Sequence, residues 1–311
     1  MMTVGGRLTV TLPIGIRSMS GRDITVGFTD YFSPIDEFFV SLLSTRYNVI
    51  RDDANPNYLF FCDETFGTNN LKYNPDKVTK IFFTGENRRP WNYQAHAAIS
   101  YDHLDGPSNY RLPLYVVEDW YLTAKLGLPS ITDPLRRRYI SERRIGFCSF
   151  VSANPASLDR NEAFHFLSQY KRVDSGGPLF NNIGHILPRG EDAQVHKLKF
   201  MSERKFNLCY ENGSYPGYVT EKLFHALYAG VVPIYWGSPT VELDFNPDAF
   251  ISRHNYDTVE SMIDEVQRID YDLGKYLDMV NQPIFSKHGK EVMDTNRFLD
   301  WFDRHIYLGN D

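Results

Sequence analysis

The sequence has few of the features that mark secreted or membrane proteins. Its 311 residues include three cysteines, Cys62, Cys148 and Cys209, without a Cys-x-x-Cys pair. An odd set with this spacing favours reduced, buried thiols in an intracellular protein over a disulfide framework. There is no run of about 18 apolar residues, and the N-terminus lacks the charged-then-apolar layout of a signal peptide. We therefore expect a cytoplasmic protein, with residues 1–22 forming a flexible lead.

The sequence also has no block of like charge. It contains 33 Lys and Arg against 39 Asp and Glu, a formal net charge of −6. A nucleic-acid partner would require a basic face, so we predict none. The arginines of LRRRYISERR (135–144) are interpreted as a solvated or inter-domain face.

Acidic motifs that could hold a metal are scarce as well. No Asp-x-Asp triplet follows an apolar strand. The nearest acidic clusters are Asp52-Asp53 and the pair Asp102 and Asp105. Hard cations need several converging oxygens, so turn or surface roles are favoured for these residues. We predict no metal site.

What the sequence does contain is an alternation of short apolar runs with helical patterns. Apolar runs at 24–28, 58–62, 79–85 and 96–100 predict buried strands, and residues 34–47 have apolar positions at helical spacing. A second series begins near residue 145, with strands predicted at 145–151, 205–210 and 231–236 and helices after Asp159 and from Thr220. This alternation indicates an α/β fold with parallel sheets. We predict two Rossmann-like domains, 23–143 and 144–290, facing a central cleft, and a C-terminal helix within 291–311 that packs on the fold.

The stretch YENGSYPGYVTEKLFHALYAGVVPIYWGSP (210–239) carries the clearest chemical pattern. Ligands of such folds bind at the carboxyl ends of the parallel strands, so the loop after Tyr210 should lie at the cleft. Thr220 can cap the following helix, whose first turn carries Glu221 and Lys222. A helix N-terminus and a lysine attract phosphate, whereas a glutamate accepts hydrogen bonds from sugar hydroxyls. Neighbouring residues do not face each other on a helix, so each charge should point elsewhere. A phosphate-bearing sugar would satisfy both; solvated first-turn charges are the alternative.

Three longer blocks of the sequence resemble those of a known family. FNLCYENGSYPGYVTEKLFHALYAGVVPIYWGSPTVELDFNP (206–247) closely resembles the donor-binding motif of the α1,3/4-fucosyltransferases, especially the bacterial members. IFFTGENRRPWNY (81–93) resembles the acceptor-domain signature of that family. SFVSANPASLDRNEAF (149–164) is similar to the segment that supplies its donor-binding arginine. The three blocks occur in family order.

The resemblance implies a GT-B architecture, in which the first domain binds the acceptor and the second binds GDP-fucose. It implies inverting transfer of L-fucose from GDP-β-L-fucose, with no divalent metal required. Glu86 matches the carboxylate proposed as the general base, and burial would raise its pKa towards working pH. The alternative is that Glu86 only accepts a hydrogen bond from an arginine such as Arg88.

The resemblance also assigns residues to the donor site. Arg160 and Lys222 match the clamp on the diphosphate, although either could be a structural ion-pair partner. Glu221 matches a residue contacting ribose or fucose hydroxyls. Asn212 and Tyr218 match residues lining the nucleotide sugar, and Asn212 could instead stabilise its own loop.

The acceptor side is less defined by sequence. Tyr31, Phe32 and Trp91 could stack on sugar faces, but core packing is favoured for them in a chain with 15% aromatic residues. Tyr235 and Trp236 are also expected in the core. The family suggests the 3-hydroxyl of GlcNAc in Galβ1,4GlcNAc as acceptor, giving Lewis X, as in bacterial glycoprotein or lipopolysaccharide O-antigen glycans. Type 1 chains with α1,4 linkage, and lactose, stay open.

The sequence leaves the quaternary state and membrane contact open. Several bacterial relatives carry heptad repeats and a basic amphipathic tail, whereas this sequence ends in FDRHIYLGND. Peripheral contact with an inner membrane is therefore one possibility beside a cytoplasmic location.

Overall fold

The computed structural model describes residues 22–104, 106–133, 144–190 and 192–307. The first domain is built on a sheet of six parallel strands in the order β2-β1-β3-β4-β5-β6. Its elements in chain order are β1 (Asp23–Thr29), α1 (Ile35–Leu43), β2 (Asn48–Arg51), β3 (Tyr58–Phe61), β4 (Thr79–Phe83), β5 (Ala97–Ser100), β6 (Asn109–Arg111) and α2 (Leu114–Trp120). The central strands are continuous apolar runs because both faces of a parallel sheet are covered.

The second domain has a sheet of five parallel strands in the order β11-β10-β9-β7-β8. Its elements are β7 (Gly146–Phe150), α3 (Leu158–Tyr170), β8 (Val173–Ser175), α4 (Ala193–Ser202), β9 (Arg204–Tyr210), α5 (Glu221–Tyr228), β10 (Val232–Trp236), β11 (Ile251–Ser252), α6 (Val259–Tyr271) and α7 (Leu273–Val280). The predicted α/β class with two parallel sheets is confirmed.

The last part of the chain returns to the first domain. Helices α8 (Lys287–Val292) and α9 (Asn296–Phe302) follow the second domain. Phe298 and Phe302 of α9 lie in the same buried cluster as the strands of the first sheet. The ring of Phe298 is 5.8 Å from that of Phe39, and the ring of Phe302 is 5.3 Å from that of Tyr58. The first domain therefore draws part of its core from the end of the chain.

Each sheet reverses its direction of growth at one place. In the first sheet this switch lies between β1 and β3, and in the second between β7 and β9. Loops that follow neighbouring strands diverge at a switch point, which leaves a crevice for ligands at the carboxyl edge. The second crevice is the one predicted to hold the nucleotide sugar.

Polar contacts, of which one is buried, join the two domains near these edges. The guanidinium of Arg111 in β6 forms two hydrogen bonds, of 3.1 and 2.6 Å, with the carboxylate of Asp244. Both side chains are almost completely buried. His103 Nε2 lies 2.9 Å from Thr240 Oγ1.

The structure confirms some of the local predictions made from the sequence and contradicts one. The three cysteines are free and buried, as expected. Asp159 does not cap α3, because the helix begins one residue earlier and Ser157 occupies the N-cap position. Gly230 follows α5 with φ of +71°, in the left-handed region that commonly ends a helix. Most of the arginine-rich stretch lies outside the described residues. Within the part of the chain that the structure describes, no helix is long and apolar enough to cross a membrane.

Candidate active site

Arg160 connects the two loops that diverge at the switch point of the second sheet. It lies on the first turn of α3 and is 1% exposed. Its Nη1 donates to Asn212 Oδ1 at 3.0 Å and to the carbonyl of Tyr210 at 3.4 Å, while Nη2 donates to the carbonyl of Asn154. No carboxylate contacts the guanidinium, and burial lowers its pKa. Arg160 thus shapes the loop after β9 and retains a positive charge unpaired by any carboxylate within the described residues.

The N-terminus of α5 is organised by a carboxylate that the sequence did not single out. Glu211 is completely buried. It accepts hydrogen bonds from the Thr220 amide at 2.7 Å, from the Thr220 hydroxyl at 2.6 Å and from Lys222 Nζ at 3.1 Å. The prediction that the Thr220 side chain caps α5 was therefore wrong. Thr220 occupies the N-cap position, but its hydroxyl is drawn away to Glu211.

Glu221 and Lys222 belong to a chain of alternating charges. Lys222 Nζ lies 3.5 Å from Glu221 Oε1, and Lys197 Nζ on α4 lies 3.9 Å from the same oxygen. The expectation that these neighbours do not pair was wrong, since the long lysine side chain folds back towards the glutamate. Burial opposes both charges, but Lys222 and Lys197 hold the pKa of Glu221 below its usual range, and Glu211 and Glu221 raise the pKa of Lys222. Both groups are charged at neutral pH.

Tyr218 lies deep between the loops and is 1% exposed. Burial, and then the negative charges of Glu211, Glu86 and Glu221, raise its pKa, so its hydroxyl stays protonated. The loop reaches this place because Gly217 adopts φ of +84°. A Cβ atom at Gly217 would lie 2.2 Å from the carbonyl oxygen of Tyr101 in the first domain.

Glu86 follows β4 at the carboxyl edge of the first sheet. Its backbone is fixed by Thr84, whose hydroxyl accepts the Glu86 amide at 3.0 Å. Its carboxylate receives no hydrogen bond from the described residues. Desolvation raises the pKa of Glu86; Asp63 and Glu221 raise it further, and Lys222 opposes them. These influences place Glu86 within electrostatic range of the charges at the start of α5.

The alternative role for Glu86, as acceptor for an arginine, has no support in the geometry. Arg88 Nη2 pairs instead with Glu64 at 3.4 Å. Arg89 turns towards the second domain and pairs with Asp102 at 3.1 Å. Its guanidinium carbon lies 3.3 Å from the ring centroid of Tyr215, in the loop between β9 and α5.

The ring of Tyr101 completes this junction between the domains. Its hydroxyl donates to the carbonyl of Arg88 at 2.9 Å, and its ring lies 5.0 Å from that of Tyr218. The loop carrying Glu86 and the loop carrying Tyr218 are therefore packed against the same side chain.

The acidic clusters considered for metal binding have other partners. Asp52 caps a turn through the amides of Ala54 and Asn55, and Asp53 accepts the Phe28 amide. Asp102 pairs with Arg89, and Asp105 lies outside the described residues. No group of three potential ligands converges in the described ranges.

The candidate aromatic residues divide into two groups. Tyr31 and Phe32 are half-buried and pack on the main core, as predicted. Tyr235 is fully buried, and Trp236 is partly buried against the second core. For Trp91 the prediction of core packing was wrong, because 61% of it is exposed.

Three residues of this region were given no role by the sequence prediction, although the loop that contains Glu211 was expected at the cleft: Glu211, Lys197 and Arg89. Glu211 stands directly after a predicted strand, at the same kind of position as Glu86, and this signal could have found it. Lys197 lies on α4, which has no amphipathic pattern to orient it. Arg89 was indistinguishable from Arg88 without tertiary contacts.

Two parallel-sheet domains face each other, a cationic helix N-terminus lies on one side and a carboxylate with a raised pKa on the other. This arrangement is that of the GT-B architecture. Residues 140–281 match the model described as glycosyltransferase family 10 (fucosyltransferase) C-term, and residues 24–118 match the α-(1,3)-fucosyltransferase FucT N-terminal domain. The chain belongs to glycosyltransferase family 10, the fucosyltransferases.

Individual relatives agree with this assignment. The chain is 32% identical over 296 residues to α-(1,3)-fucosyltransferase FucT of Helicobacter pylori, covering 82% of this chain and 58% of that protein. It is 26% identical to mouse GDP-fucose protein O-fucosyltransferase 3, covering 81% and 50%. The chain thus spans half to three fifths of the length of these relatives. The crystal structure of an α1,3-fucosyltransferase matches with a TM-score of 0.76 at 26% identity, covering 93% of this chain and 91% of that one. The structure of an α1,3-fucosyltransferase with GDP-fucose matches with a TM-score of 0.72 at 27% identity, covering 94% and 93%.

Proposed function

We propose that this protein transfers L-fucose from GDP-β-L-fucose to the GlcNAc 3-hydroxyl of Galβ1,4GlcNAc, with inversion and with Glu86 as general base. The observation that carries the proposal is the placement of Glu86. Its carboxylate is free of hydrogen bonds from the described residues and is close enough to Lys222 and Glu221 for their charges to change its pKa. A base near the bound diphosphate is what a single displacement requires.

In this reaction the acceptor oxygen attacks C1 of fucose on the face opposite GDP. The bond from C1 to the phosphate oxygen breaks as the new glycosidic bond forms, and the hydroxyl proton passes to Glu86. Negative charge grows on the leaving diphosphate, where the N-terminus of α5, Lys222 and Arg160 stabilise it. Interactions that strengthen with this charge accelerate the chemical step itself. GDP is a good leaving group, so no general acid is needed.

Side chains and backbone dipoles supply the positive charge, and we propose that no divalent metal is required. We assign Glu221 to sugar hydroxyls, and Asn212 and Tyr218 to the walls of the nucleotide-sugar site. The relatives include an α-(1,3)-fucosyltransferase and a protein O-fucosyltransferase, so acceptors differ among them. The type 2 disaccharide is favoured because the relative with the higher identity is the α-(1,3) enzyme. We place the reaction in the cytoplasm, where GDP-fucose and reduced thiols are compatible.

The test uses purified protein with GDP-fucose and N-acetyllactosamine in the presence of EDTA, followed by GDP release and product mass. Glu86→Gln removes the base but keeps its shape, and a loss of about 10²–10⁴ in turnover is expected. Glu64→Gln is the matched control, because Glu64 is an exposed carboxylate on the neighbouring loop. Wild-type turnover in Glu86→Gln would refute Glu86 as base.

A panel of acceptors separates the donor half of the proposal from the acceptor half. Lactose, a type 1 disaccharide and a serine- and threonine-containing peptide are compared with N-acetyllactosamine. Transfer only to another member of the panel would reassign the acceptor. Turnover that needs a metal restored after EDTA would refute the metal-free mechanism.

A further inference from the structure

A small cavity lies at the carboxyl ends of β7 and β9, the strands that flank the switch point. Three cationic side chains line it: Arg160 from α3, Lys197 from α4 and Lys222 from α5. They come from three different helices and converge on one place. Like charges repel, so the arrangement needs compensating anions.

Two glutamates compensate the lysines in a defined order. Glu211 contacts Lys222 at 3.1 Å, Lys222 contacts Glu221 at 3.5 Å, and Glu221 contacts Lys197 at 3.9 Å. Burial, and then the charge of Lys222, lower the pKa of Lys197, whereas Glu221, Glu118 and Glu211 oppose that shift. With Lys197 protonated, the four charges cancel one another. Arg160, which has no carboxylate partner among the described residues, then makes the region positive.

The balance depends on Lys197. Without it, two carboxylates would share one lysine at the start of α5, and their excess negative charge would offset that of Arg160. A diphosphate would then approach a region with no net positive charge. Two further groups lie near Lys197: Glu118 of α2 and His225 of α5, which contact each other at 3.2 Å.

We propose that Lys197 is the third cation of the diphosphate-binding site, beside Arg160 and Lys222. This inference rests on the proposed function, since it assumes a nucleoside diphosphate donor. Lys197 acts by offsetting Glu221, which leaves Lys222 available to the phosphates. Only 15% of its side chain is exposed, and it points inwards to this cavity. It is therefore distinct from Lys199, the exposed lysine of the same helix.

The experiment measures the dissociation constants of GDP and of guanosine by calorimetric competition. Guanosine lacks the phosphates, so the ratio of the two constants isolates the diphosphate contribution. In general, two unit charges about 7 Å apart at an effective dielectric constant of about 20 interact strongly enough to change an affinity by more than tenfold. We expect Lys197→Met to weaken GDP by about tenfold or more and guanosine by less than about twofold.

Four further variants control this result. Lys199→Met changes an exposed lysine on the same helix and should bind both ligands like wild type. Lys197→Arg keeps the charge and should retain most of the GDP affinity. Lys197→Met with Glu221→Gln removes one charge of each sign. The ratio of the two dissociation constants should therefore return part of the way to its wild-type value. Lys197→Gln is made in parallel, because a buried polar side chain in place of the lysine is less disturbing to folding than an apolar one. It should give the same ratio of dissociation constants as Lys197→Met.

Each other outcome overturns the inference. An unchanged ratio in Lys197→Met and Lys197→Gln refutes a role in diphosphate binding. Equal weakening of GDP and guanosine assigns Lys197 to folding alone. A wild-type protein that binds neither ligand refutes the proposed function, and the role of Lys197 with it.

Discussion

The guanidinium of Arg89 stacks on the ring of Tyr215, with its central carbon 3.3 Å from the ring centroid. Arg89 follows Glu86 by three residues in the first domain, and Tyr215 belongs to the loop between β9 and α5 in the second. The same guanidinium pairs with Asp102, which is almost fully buried. The stacking thus joins the loop of the candidate base to the loop between β9 and α5.

Tyr215→Leu should slow transfer more than it weakens donor binding. A cation–π contact of this kind is worth about 1 kcal/mol, or about fivefold. We expect kcat to fall by about fivefold while the Kd for GDP changes little, because the loop is still anchored by Arg160. Tyr215→Phe keeps the ring and should match wild type. Steady-state kinetics and GDP titration check the split; an equal fall in Tyr215→Phe would assign the effect to the hydroxyl.

The acidic limb of the pH profile should reflect the environment of Glu86. Desolvation raises its pKa, so kcat/KM should decline at a higher pH than the ordinary glutamate value of 4.5 implies. Asp63 contributes to this rise through its negative charge. Asp63→Asn should therefore move the limb to lower pH. A limb that stays in place or moves to higher pH would show that Glu86 does not set it.

Glu211→Gln should destabilise the protein although the shape is kept. The neutral amide cannot accept from Thr220 and Lys222 as the carboxylate does, so a buried lysine loses its partner. We expect a loss of about 1–3 kcal/mol in the free energy of unfolding. Glu260→Gln, at an exposed position on α6, is the control and should change stability little. Urea unfolding monitored by tryptophan fluorescence measures both.

Gly217→Ala should damage the donor site more than Gly213→Ala on the same loop. At Gly217 the added Cβ meets the carbonyl of Tyr101 at 2.2 Å, and φ of +84° disfavours alanine. At Gly213 it meets only the side-chain amide of Asn87 at 3.0 Å. We expect Gly217→Ala to weaken GDP by about tenfold or more, in line with backbone strain of 1–3 kcal/mol. Similar GDP affinities in the two variants would contradict this account.

The pair of Arg111 and Asp244 should matter for stability because it is buried. Arg111→Met leaves the Asp244 carboxylate without its two hydrogen bonds, a loss expected to cost about 3–5 kcal/mol. Arg111→Met with Asp244→Leu should cost less, since no buried charge remains. Arg297→Gln, which breaks an exposed pair with Glu291, should cost at most about 1 kcal/mol. Chemical denaturation of the four proteins measures the differences, and a double variant less stable than Arg111→Met would refute the argument.

The sequence predicted the strands that are buried on both faces. Short apolar runs of this kind predict buried strands in any parallel sheet. They form β1, β3, β4, β5, β7, β9 and β10. The short outer strands were missed for a physical reason. β2 is mostly exposed, while β6 and β8 have three residues each, so neither periodicity nor length distinguishes them from loops.

The candidate site could be predicted only in part. Motif position placed Glu86, Arg160 and Lys222 at the facing edges of two sheets. It could not place Lys197, because a helix without an amphipathic pattern gives no facing direction. It also misjudged Thr220, since a serine or threonine before a helix is normally a cap and only the tertiary structure brings Glu211 within reach of it.

The return of α9 to the first sheet has a consequence for synthesis on the ribosome. A chain emerging from its N-terminus can complete the β7–β11 sheet before residue 296 has left the exit tunnel. The first domain cannot complete its core, because Phe298 packs on Phe39 and Phe302 packs on Tyr58. Although the first domain is translated first, it finishes folding last. A nascent chain arrested before α9 would therefore present a completed second domain joined to an apolar surface that chaperones can bind.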